Sequence, residues 1–496
     1  MLGASLAMKS RTGETNLKAL KPLVMSGKEV LPLVEGGKGI AVTTGKSSGA
    51  WAAAGGIGTF SAVNADSYDK NGNMVPVDYI GKTRGERHQE LIAYGIRGGI
   101  AQAQIAHEVR GGEGRLHMNV LWEMGGAEEI LRGVLEGTKG LVHGVTCGAG
   151  MPYKVAQIAA QYSVYYYPIV SSSRAFRALW LRAYKKTPEW LGGVVYEDPW
   201  LAGGHNGLSN SEDPLVAEDP FPRVAELRTY MNSVGLHDVP IIMAGGVWFL
   251  RDYEDWLDNP EVAPVAFQYG TRTADKMPKS GNGPSRLRPL LTKESEISEE
   301  WKNRLLSLQD GDVSLHKFSP TGFYSSAVRN DFLEDLHQRS DRQVRYSRAA
   351  EADLHVGIPL GRRGRPIYVR EDDADKVRAW LAAGYTEGMA TPDETMVFVT
   401  PESALGIKKD QIDCMGCLSQ CAFSNWEQNE GTTGKRADPR SFCIQKTLQN
   451  IAHGAAVDHE LMFAGHNAYK FGQDPFYANG FVPTVKQLVD RIATGD

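Results

Sequence analysis

Four of the five cysteines in this chain lie close together near its C-terminus. Three of them fall within eight residues with the spacing C-x2-C-x3-C, and the fourth follows about twenty residues later: Cys414, Cys417, Cys421 and Cys443. In a reducing compartment these thiols stay free rather than pairing as disulfides. Thiolates at this spacing can converge on a cubane cluster, whereas structural zinc more often uses two separated Cys or His pairs. The pattern favours a [4Fe–4S] cluster over zinc and over buried thiols without a metal.

A histidine follows the sixth of eight predicted strands, in the glycine-rich segment GGHNG. If that strand belongs to a parallel barrel, His205 lies at the mouth, where active sites form. An imidazole there can act as a general base near neutral pH. The alternative is a histidine in an exposed loop. We predict a catalytic His205, with Gly204 beside it contacting the cofactor.

Glycines end the last two predicted strands, and an amide lies near the end of the third. The first are Gly245 and Gly246 in AGG, followed by Gly270 and Thr271 in YGT. Backbone N–H groups at these positions can close around a phosphate, although tight turns also need glycine. Asn119 can hydrogen-bond a flavin edge or a substrate carbonyl, or it can cap its strand.

Short apolar runs alternate with helical patterns over the first ~290 residues, as in repeated βα units. The eight predicted strands cover 39–43, 57–62, 116–122, 140–146, 164–171, 192–198, 239–245 and 264–270. Near-continuous apolar strands suit an α/β fold of the TIM-barrel type, with a doubly wound sheet as the alternative.

The composition of the chain predicts three segments. We expect an N-terminal extension (1–37), a barrel (38–290) with an insertion at about 63–115, and a mainly helical accessory region (291–496) that carries the cysteine site. The loop after the predicted first strand, GKSSGAWAAAGGIGTF (45–60), suits close packing beneath a planar cofactor. Cys147 ends the fourth strand and is expected to be a small buried filler.

Charge and hydropathy exclude several classes of function. The net charge of −5 argues against nucleic-acid binding. No run of eighteen apolar residues is present to span a membrane, and the N-terminus lacks a secretory signal pattern, so we expect a cytoplasmic enzyme. A strand–GxGxxG–helix unit for a dinucleotide is also missing from the sequence. We expect a homo-oligomer, in the form of a dimer.

A basic segment follows the fifth predicted strand. Between residues 173 and 186 it carries five cations and no acid: Arg174, Arg177, Arg182, Lys185 and Lys186. The ordinary explanation is a solvated helix face. The alternative is a docking patch for an acidic carrier protein or for the phosphates of coenzyme A.

Five motifs occur in an order that resembles the nitronate monooxygenase (2-nitropropane dioxygenase-like) flavoproteins over about residues 38–290. They are AAAGGIGTF, the strand-end Asn119, AGGHNG, PIIMAGG and QYGTR. The resemblance implies an FMN-binding TIM barrel and places His205 beside the flavin as the base. It also implies that the FMN phosphate is held by Gly245, Gly246, Gly270 and Thr271.

Other stretches resemble a subgroup of that family, the FMN- and [4Fe–4S]-containing acyl-carrier-protein dehydrogenase/isomerase of unsaturated fatty-acid synthesis. These are MNVLWEMGG, TCGAGMPY and YEDPWLAGGHNGLSN, together with the cysteines that ordinary nitronate monooxygenases lack. The resemblance implies oxidation of a saturated acyl thioester, on acyl carrier protein or coenzyme A, to the trans-2-enoyl form and isomerisation to the cis-3-enoyl form.

Several alternatives stay open at this point. Oxygen or another acceptor would reoxidise the flavin. Nitronate oxidation and NAD(P)H-dependent enoyl reduction are the rival reactions, and a non-catalytic redox-sensing protein is the rival class. The cluster either relays electrons or holds the C-terminal region over the pocket.

Overall fold

The computed structural model describes residues 20–205, 207–209, 211–270, 289–361 and 364–494. Its strands, in chain order, are β1 (Leu23–Met25), β2 (Lys28–Val30), β3 (Leu33–Glu35), β4 (Ile57–Ser61), β5 (Arg115–Leu121), β6 (Gly144–Gly148), β7 (Tyr165–Val170), β8 (Val194–Glu197), β9 (Gly204–His205), β10 (Ile241–Ala244), β11 (Val265–Tyr269), β12 (Val313–His316), β13 (Ser325–Val328), β14 (Gln343–Arg345), β15 (Val356–Leu360), β16 (Arg365–Val369), β17 (Glu387–Ala390), β18 (Thr395–Val399), β19 (Gln420–Cys421) and β20 (Trp426–Glu427).

The α-helices are α1 (Gly45–Ala53), α2 (Arg84–Arg110), α3 (Ala127–Gly137), α4 (Val155–Gln161), α5 (Ser173–Arg182), α6 (Pro220–Ser233), α7 (Glu299–Ser307), α8 (Asp331–Asp341), α9 (Glu371–Ala382), α10 (Pro401–Ile412), α11 (Ile444–Ala452) and α12 (Val485–Ala493). Among the described residues, no helix is long and apolar enough to cross a membrane.

Eight parallel strands close into a barrel in the order β10-β11-β3-β4-β5-β6-β7-β8. The predicted TIM-barrel architecture is therefore confirmed, and closure of the sheet excludes the doubly wound alternative. Seven of the predicted strands overlap observed barrel strands.

The prediction of the first strand was wrong. The barrel begins at Leu33–Glu35, and residues 39–43 form the loop that leads into α1. This loop reads as a strand because Ile40, Ala41 and Val42 are apolar, but they pack in the core outside the barrel. The predicted loop 45–60 is consequently mostly helix and turn.

The N-terminal end of the barrel is closed by the hairpin of β1 and β2. Its turn residue Ser26 lies within 2.8 Å of both His117 Nε2 and Tyr167 Oη inside the barrel. Met25 and Val30 pack with the interior side chains of the barrel. Ligand access therefore belongs to the opposite end, where the strands have their C-termini.

The predicted insertion at about 63–115 consists of a loop followed by the long helix α2. This helix begins with a capping box between Thr83 and Glu86. Its N-terminal turn contacts the cysteine segment, since the Arg84 and Arg87 side chains donate to backbone carbonyls there. The segment thus connects the barrel to the C-terminal region.

Beyond residue 291 the accessory region contains the helices α7 to α12, and it also contains the short strands β12 to β20, which were not predicted. Among these strands, β15 and β16 pair as an antiparallel hairpin. Burial joins this region to the barrel: Ala327 and Leu488 belong to the same hydrophobic core as Trp51. The C-terminal region therefore packs against the helical layer around the barrel.

Candidate functional site

Two polar side chains near the barrel mouth point inward. Val195 and Ala266 pack in the barrel interior, so the side chains two residues further along each strand, Glu197 and Gln268, face the same way. Burial, reinforced by the neighbouring Asp198 carboxylate, raises the pKa of Glu197 to about 7. Within the described structure, the buried amide oxygen of Gln268 has no hydrogen-bond partner. The mouth thus holds an acid that titrates near neutrality and an unsatisfied acceptor.

The loop after β3 borders the mouth with two glycines. A Cβ atom at Gly37 would lie 2.3 Å from Asn119 Cβ, so Gly37 backbone touches the predicted amide directly. Gly36 donates its N–H to the Tyr269 carbonyl at 2.7 Å. Sequence reasoning missed this loop because it assigned the first strand to the wrong residues. The adjacent glycines Gly36 and Gly37 were the sequence signal that could have identified this loop.

A lysine and a glutamate accompany this loop. Lys38 Nζ donates to the Gly36 carbonyl at 2.6 Å, and burial lowers the pKa of Lys38 to about 8 against the opposing effect of Glu35. Burial raises the pKa of Glu35, whose carboxylate accepts from the Ser47 hydroxyl and from Thr59 N–H. An amine that titrates near neutral pH therefore lies beside the mouth, and the sequence analysis did not identify it.

The predicted catalytic histidine lies in a short strand rather than in a flexible loop. β9 pairs with β13 of the C-terminal region, opposite Ser325 and Ser326. His205 Nε2 lies 2.6 Å from Ser319 Oγ, and burial lowers the pKa of His205 to about 4. The imidazole is consequently neutral at pH 7 and able to accept a proton. Its catalytic role stays a prediction.

The predicted cofactor glycines differ in their surroundings. Gly204 has φ +76° and is half of the β9 strand, with Phe463 near its Cα. Gly245 has φ +74° and packs against the Asp198 backbone, which requires glycine even without a ligand. Gly246 also has positive φ (80°), and a Cβ at Gly270 would meet open space. Thr271 lies outside the described residues.

The strand end beside Gly245 carries a second acid. Asp198 Oδ1 accepts from the N–H groups of Trp200 and Leu201, each at 2.9 Å. Burial raises the pKa of Asp198 to about 6. The carboxyl group fixes the loop that leads to His205, so its role is to position that loop. The Glu-Asp pair is visible in the sequence, but no motif assigned it a function.

The four clustered cysteines line one small cavity, together with Asp410, Met415, Phe423, Ser424 and Ile444. None of the cysteines forms a disulfide. The Ser424 hydroxyl donates to Cys414 Sγ at 3.1 Å, and Gly416 N–H donates to the same sulfur at 3.4 Å. Cys443 is the N-cap residue of α11, where the helix dipole favours negative charge.

The electrostatics of this cavity oppose free thiolates. Burial, followed by the neighbouring thiols, raises the pKa of Cys417 well above its usual range. Burial also raises the pKa of Cys421, and that of Cys443 to about 12. Without a metal, therefore, Cys417, Cys421 and Cys443 are neutral thiols. A cation is required for them to form thiolates.

No group of three or more His, Cys, Asp or Glu side chains, among the residues that the structure describes, is arranged to hold a metal ion. The four-cysteine iron–sulfur site therefore stays a prediction. Cys147 lies apart from these thiols, facing the helical layer, and burial raises its pKa. It matches the expected buried filler.

The cysteine segment is fastened to the barrel mouth. Gly125 N–H, in the loop after β5, donates to the Cys417 carbonyl at 2.9 Å. Ser419 Oγ donates to Glu123 Oε2 at 2.7 Å in the same loop. These contacts place the thiols next to the loop that follows the Asn119 strand.

A second connection runs from the thiols to the histidine. Ser319 contacts His205, and the next carbonyl, that of Pro320, accepts from Ala422 N–H at 2.9 Å. Ala422 directly follows Cys421. One short segment thus touches both the predicted base and the cysteine cavity, a juxtaposition that no local sequence pattern predicts.

No family model and no curated protein matches the sequence. Among solved structures, the chain is similar to FabK from Thermotoga maritima (14% identity, TM-score 0.47, covering 93% of this chain and 91% of that one). It is also similar to nitroalkane oxidase from Streptomyces ansochromogenes (17% identity, TM-score 0.41, covering 64% and 80%). The enoyl reductase domain of MlnA from the macrolactin biosynthesis cluster of Bacillus amyloliquefaciens matches at 10% identity and TM-score 0.48, covering 94% and 93%. Similarities this distant do not transfer an activity.

Proposed function

We propose that this chain is an FMN-dependent oxidoreductase that acts on acyl thioesters. In its specific form, the proposal is dehydrogenation of a saturated acyl chain to the trans-2-enoyl thioester, followed by isomerisation to the cis-3-enoyl form. The observation that carries it is the neutral imidazole of His205, held beside the mouth of a parallel barrel by strand pairing and by Ser319. Abstraction of an α-proton requires such a base.

The residues at the mouth fit FMN. Gly246 and Gly270 offer backbone without side chains where a phosphate would bind. Gly36 and Gly37 let the loop after β3 pack directly against Tyr269 and Asn119 at the mouth. The unpartnered Gln268 oxygen is suited to a ring N–H donor. When bound, FMN supplies the acceptor for the β-hydride.

Two side chains share the proton transfers. His205 Nε2 is engaged with Ser319 Oγ, which leaves Nδ1 to take the α-proton when the hydroxyl accepts from Nε2–H. For the isomerisation, Glu197 can remove a γ-proton as its carboxylate while His205 returns its proton to the α-carbon. The substrate then neither gains nor loses a proton in that second step.

We further propose that the four cysteines hold a [4Fe–4S] cluster. The shared cavity, the free thiols and the two donors to Cys414 Sγ support it. Each cysteine of a cubane binds a different iron, so the sulfurs lie farther apart than around a single ion. The wider spacing of sulfurs around a cubane is consistent with the four thiols observed, which line one cavity without converging on a single point.

The test is anaerobic addition of saturated acyl thioesters to the purified protein. We expect the flavin absorbance to bleach with a medium-chain thioester on acyl carrier protein or coenzyme A. An absence of bleaching at every chain length would contradict the proposal. Rapid bleaching by NAD(P)H alone would indicate an enoyl reductase instead, and rapid bleaching by an alkyl nitronate would indicate a nitronate monooxygenase. If none of these bleaches the flavin, a non-catalytic redox sensor becomes the better description.

A further inference from the structure

We propose that the outer face of α5 is the docking site for a small acidic carrier protein that delivers the acyl thioester. This basic face is defined by five exposed cations on α5 and the turn after it: Arg174, Arg177, Arg182, Lys185 and Lys186. The inference rests on the proposed function for its substrate, but the surface can be tested by binding alone.

The cations of the basic face lack acidic partners. In the part of the chain that the structure describes, none of them has a carboxylate oxygen within 4.0 Å. Some other exposed cations do pair, as Lys154 does with Glu128 at 2.9 Å and Lys376 with Asp373 at 2.9 Å. Unpaired positive charge on a chain of net charge −5 creates a local field that attracts an acidic surface.

Two of these arginines are held in place by aromatic side chains. The Arg177 guanidinium lies 5.8 Å from the centre of the Tyr230 ring. Arg182 Nη1 donates to Tyr153 Oη at 2.8 Å. Leu181, which is 50% exposed, lies between them in sequence and adds an apolar contact. A cationic face with two anchored arginines and an exposed apolar residue is typical of a protein-binding surface.

The basic face begins next to the barrel mouth. α5 follows β7 directly, and Ser172 caps its N-terminus by accepting from Ala175 N–H. The preceding residue, Ser171, donates to the Gly207 carbonyl at 2.9 Å, two residues from His205. A carrier docked on α5 would therefore present its thioester arm to the side of the mouth where the predicted base lies.

The length of the basic face favours a protein over a nucleotide. α5 has ten residues and is about 15 Å long, and the lysines extend the charge beyond its last turn. An acidic helix can match charges spread over this length, whereas the phosphates of coenzyme A are compact and would use only part of it. We therefore commit to a carrier protein as the occupant.

The experiment is charge reversal at the first two positions, R174E/R177E, in the full-length holoprotein. The control, R97E/K139E, reverses two exposed cations on α2 and on the turn before β6. Binding of fluorescently labelled holo-acyl carrier protein is measured by anisotropy at low ionic strength. We expect the affinity to fall about tenfold or more in the α5 variant and to be unchanged in the control. Circular dichroism checks that both variants fold.

The other possible results also decide whether α5 is the docking surface. Wild-type affinity in R174E/R177E would overturn the proposal. An equal loss with the coenzyme A thioester would overturn the commitment to a carrier protein, since it would indicate recognition of phosphate. Binding that depends on α5, in a protein that oxidises no thioester, would uphold the surface while the proposed reaction fails.

Discussion

At the scale of single residues, the chemistry depends on how burial sets protonation. Removal from water favours the neutral form of both His205 and Glu197. It therefore lowers the pKa of the imidazole to about 4 and raises the pKa of the carboxyl group to about 7. A neutral base and an acid near half-protonation lie at one barrel mouth as a result. Sequence could supply His205 and Asn119 as candidates, but the pKa of Glu197 depends on packing that only the fold provides.

The first prediction concerns the base. His205→Asn removes proton acceptance while keeping a polar side chain of similar size. We expect kcat for acyl-thioester oxidation to fall by roughly a hundredfold or more, because the amide cannot take the α-proton. The control His237→Asn changes an exposed histidine outside the mouth and is expected to retain full activity. Flavin content should be unaltered in both, and a fully active H205N protein would refute the assignment.

At the scale of elements, the cysteine segment is shaped by its contacts with the barrel. Gly416 has φ +68°, and a Cβ there would lie 2.8 Å from the Trp426 ring and 3.0 Å from His88 Nδ1. Gly125 in turn approaches the Gly416 carbonyl so closely that a Cβ would lie 2.0 Å from it. The loop between the first two thiols is therefore pressed against α2 and the loop after β5.

A glycine substitution at this contact tests whether the packed loop holds the cluster. Gly416→Ala adds backbone strain at a positive φ and steric overlap with Trp426 and His88. We therefore expect loss of bound iron and a Tm that is lower by several degrees. Gly434→Ala is the matched control, since its φ of +71° gives the same backbone strain but its Cβ meets nothing within 4 Å. Iron content is measured after anaerobic purification. Equal iron in G416A and G434A would contradict the expected role of the loop.

Element boundaries also show how far the sequence could be interpreted. Near-continuous apolar runs such as Ile241–Ala244 are buried on both faces, and their position follows from composition alone. The three-residue strand Leu33–Glu35 was missed because a longer apolar run follows it, and burial in the core outside the barrel looks the same in sequence. The contact between Ser319 and His205 joins residues 114 positions apart, which no local pattern encodes.

At the scale of the whole molecule, buried histidines make folding sensitive to acid. Burial lowers the pKa of His117 and His316 to about 3 and that of His205 to about 4, from 6.5 in the unfolded chain. At pH values between 6.5 and these lowered pKa values, the unfolded state binds more protons than the folded state. The free energy of unfolding therefore decreases as the pH falls. Glu197 and Asp198 oppose this, because their pKa values are raised in the fold.

The histidine effect should outweigh the carboxyl effect. The histidine shifts are larger and more numerous, and each unit of pKa shift is worth roughly 1.4 kcal/mol on complete titration. We expect the free energy of unfolding in urea to drop by a few kcal/mol between pH 6.5 and pH 4.5. Stability that is unchanged or higher at pH 4.5 would mean that these imidazoles are not buried as described.

We propose that one chain holds both a flavin at the barrel mouth and an iron–sulfur cluster in the cavity of Cys414, Cys417, Cys421 and Cys443. The most direct measurement is the absorption spectrum of anaerobically purified protein, combined with iron and sulfide analysis. We expect flavin bands together with a broad iron–sulfur shoulder, and about four irons per flavin. A colourless protein that contains zinc would contradict it.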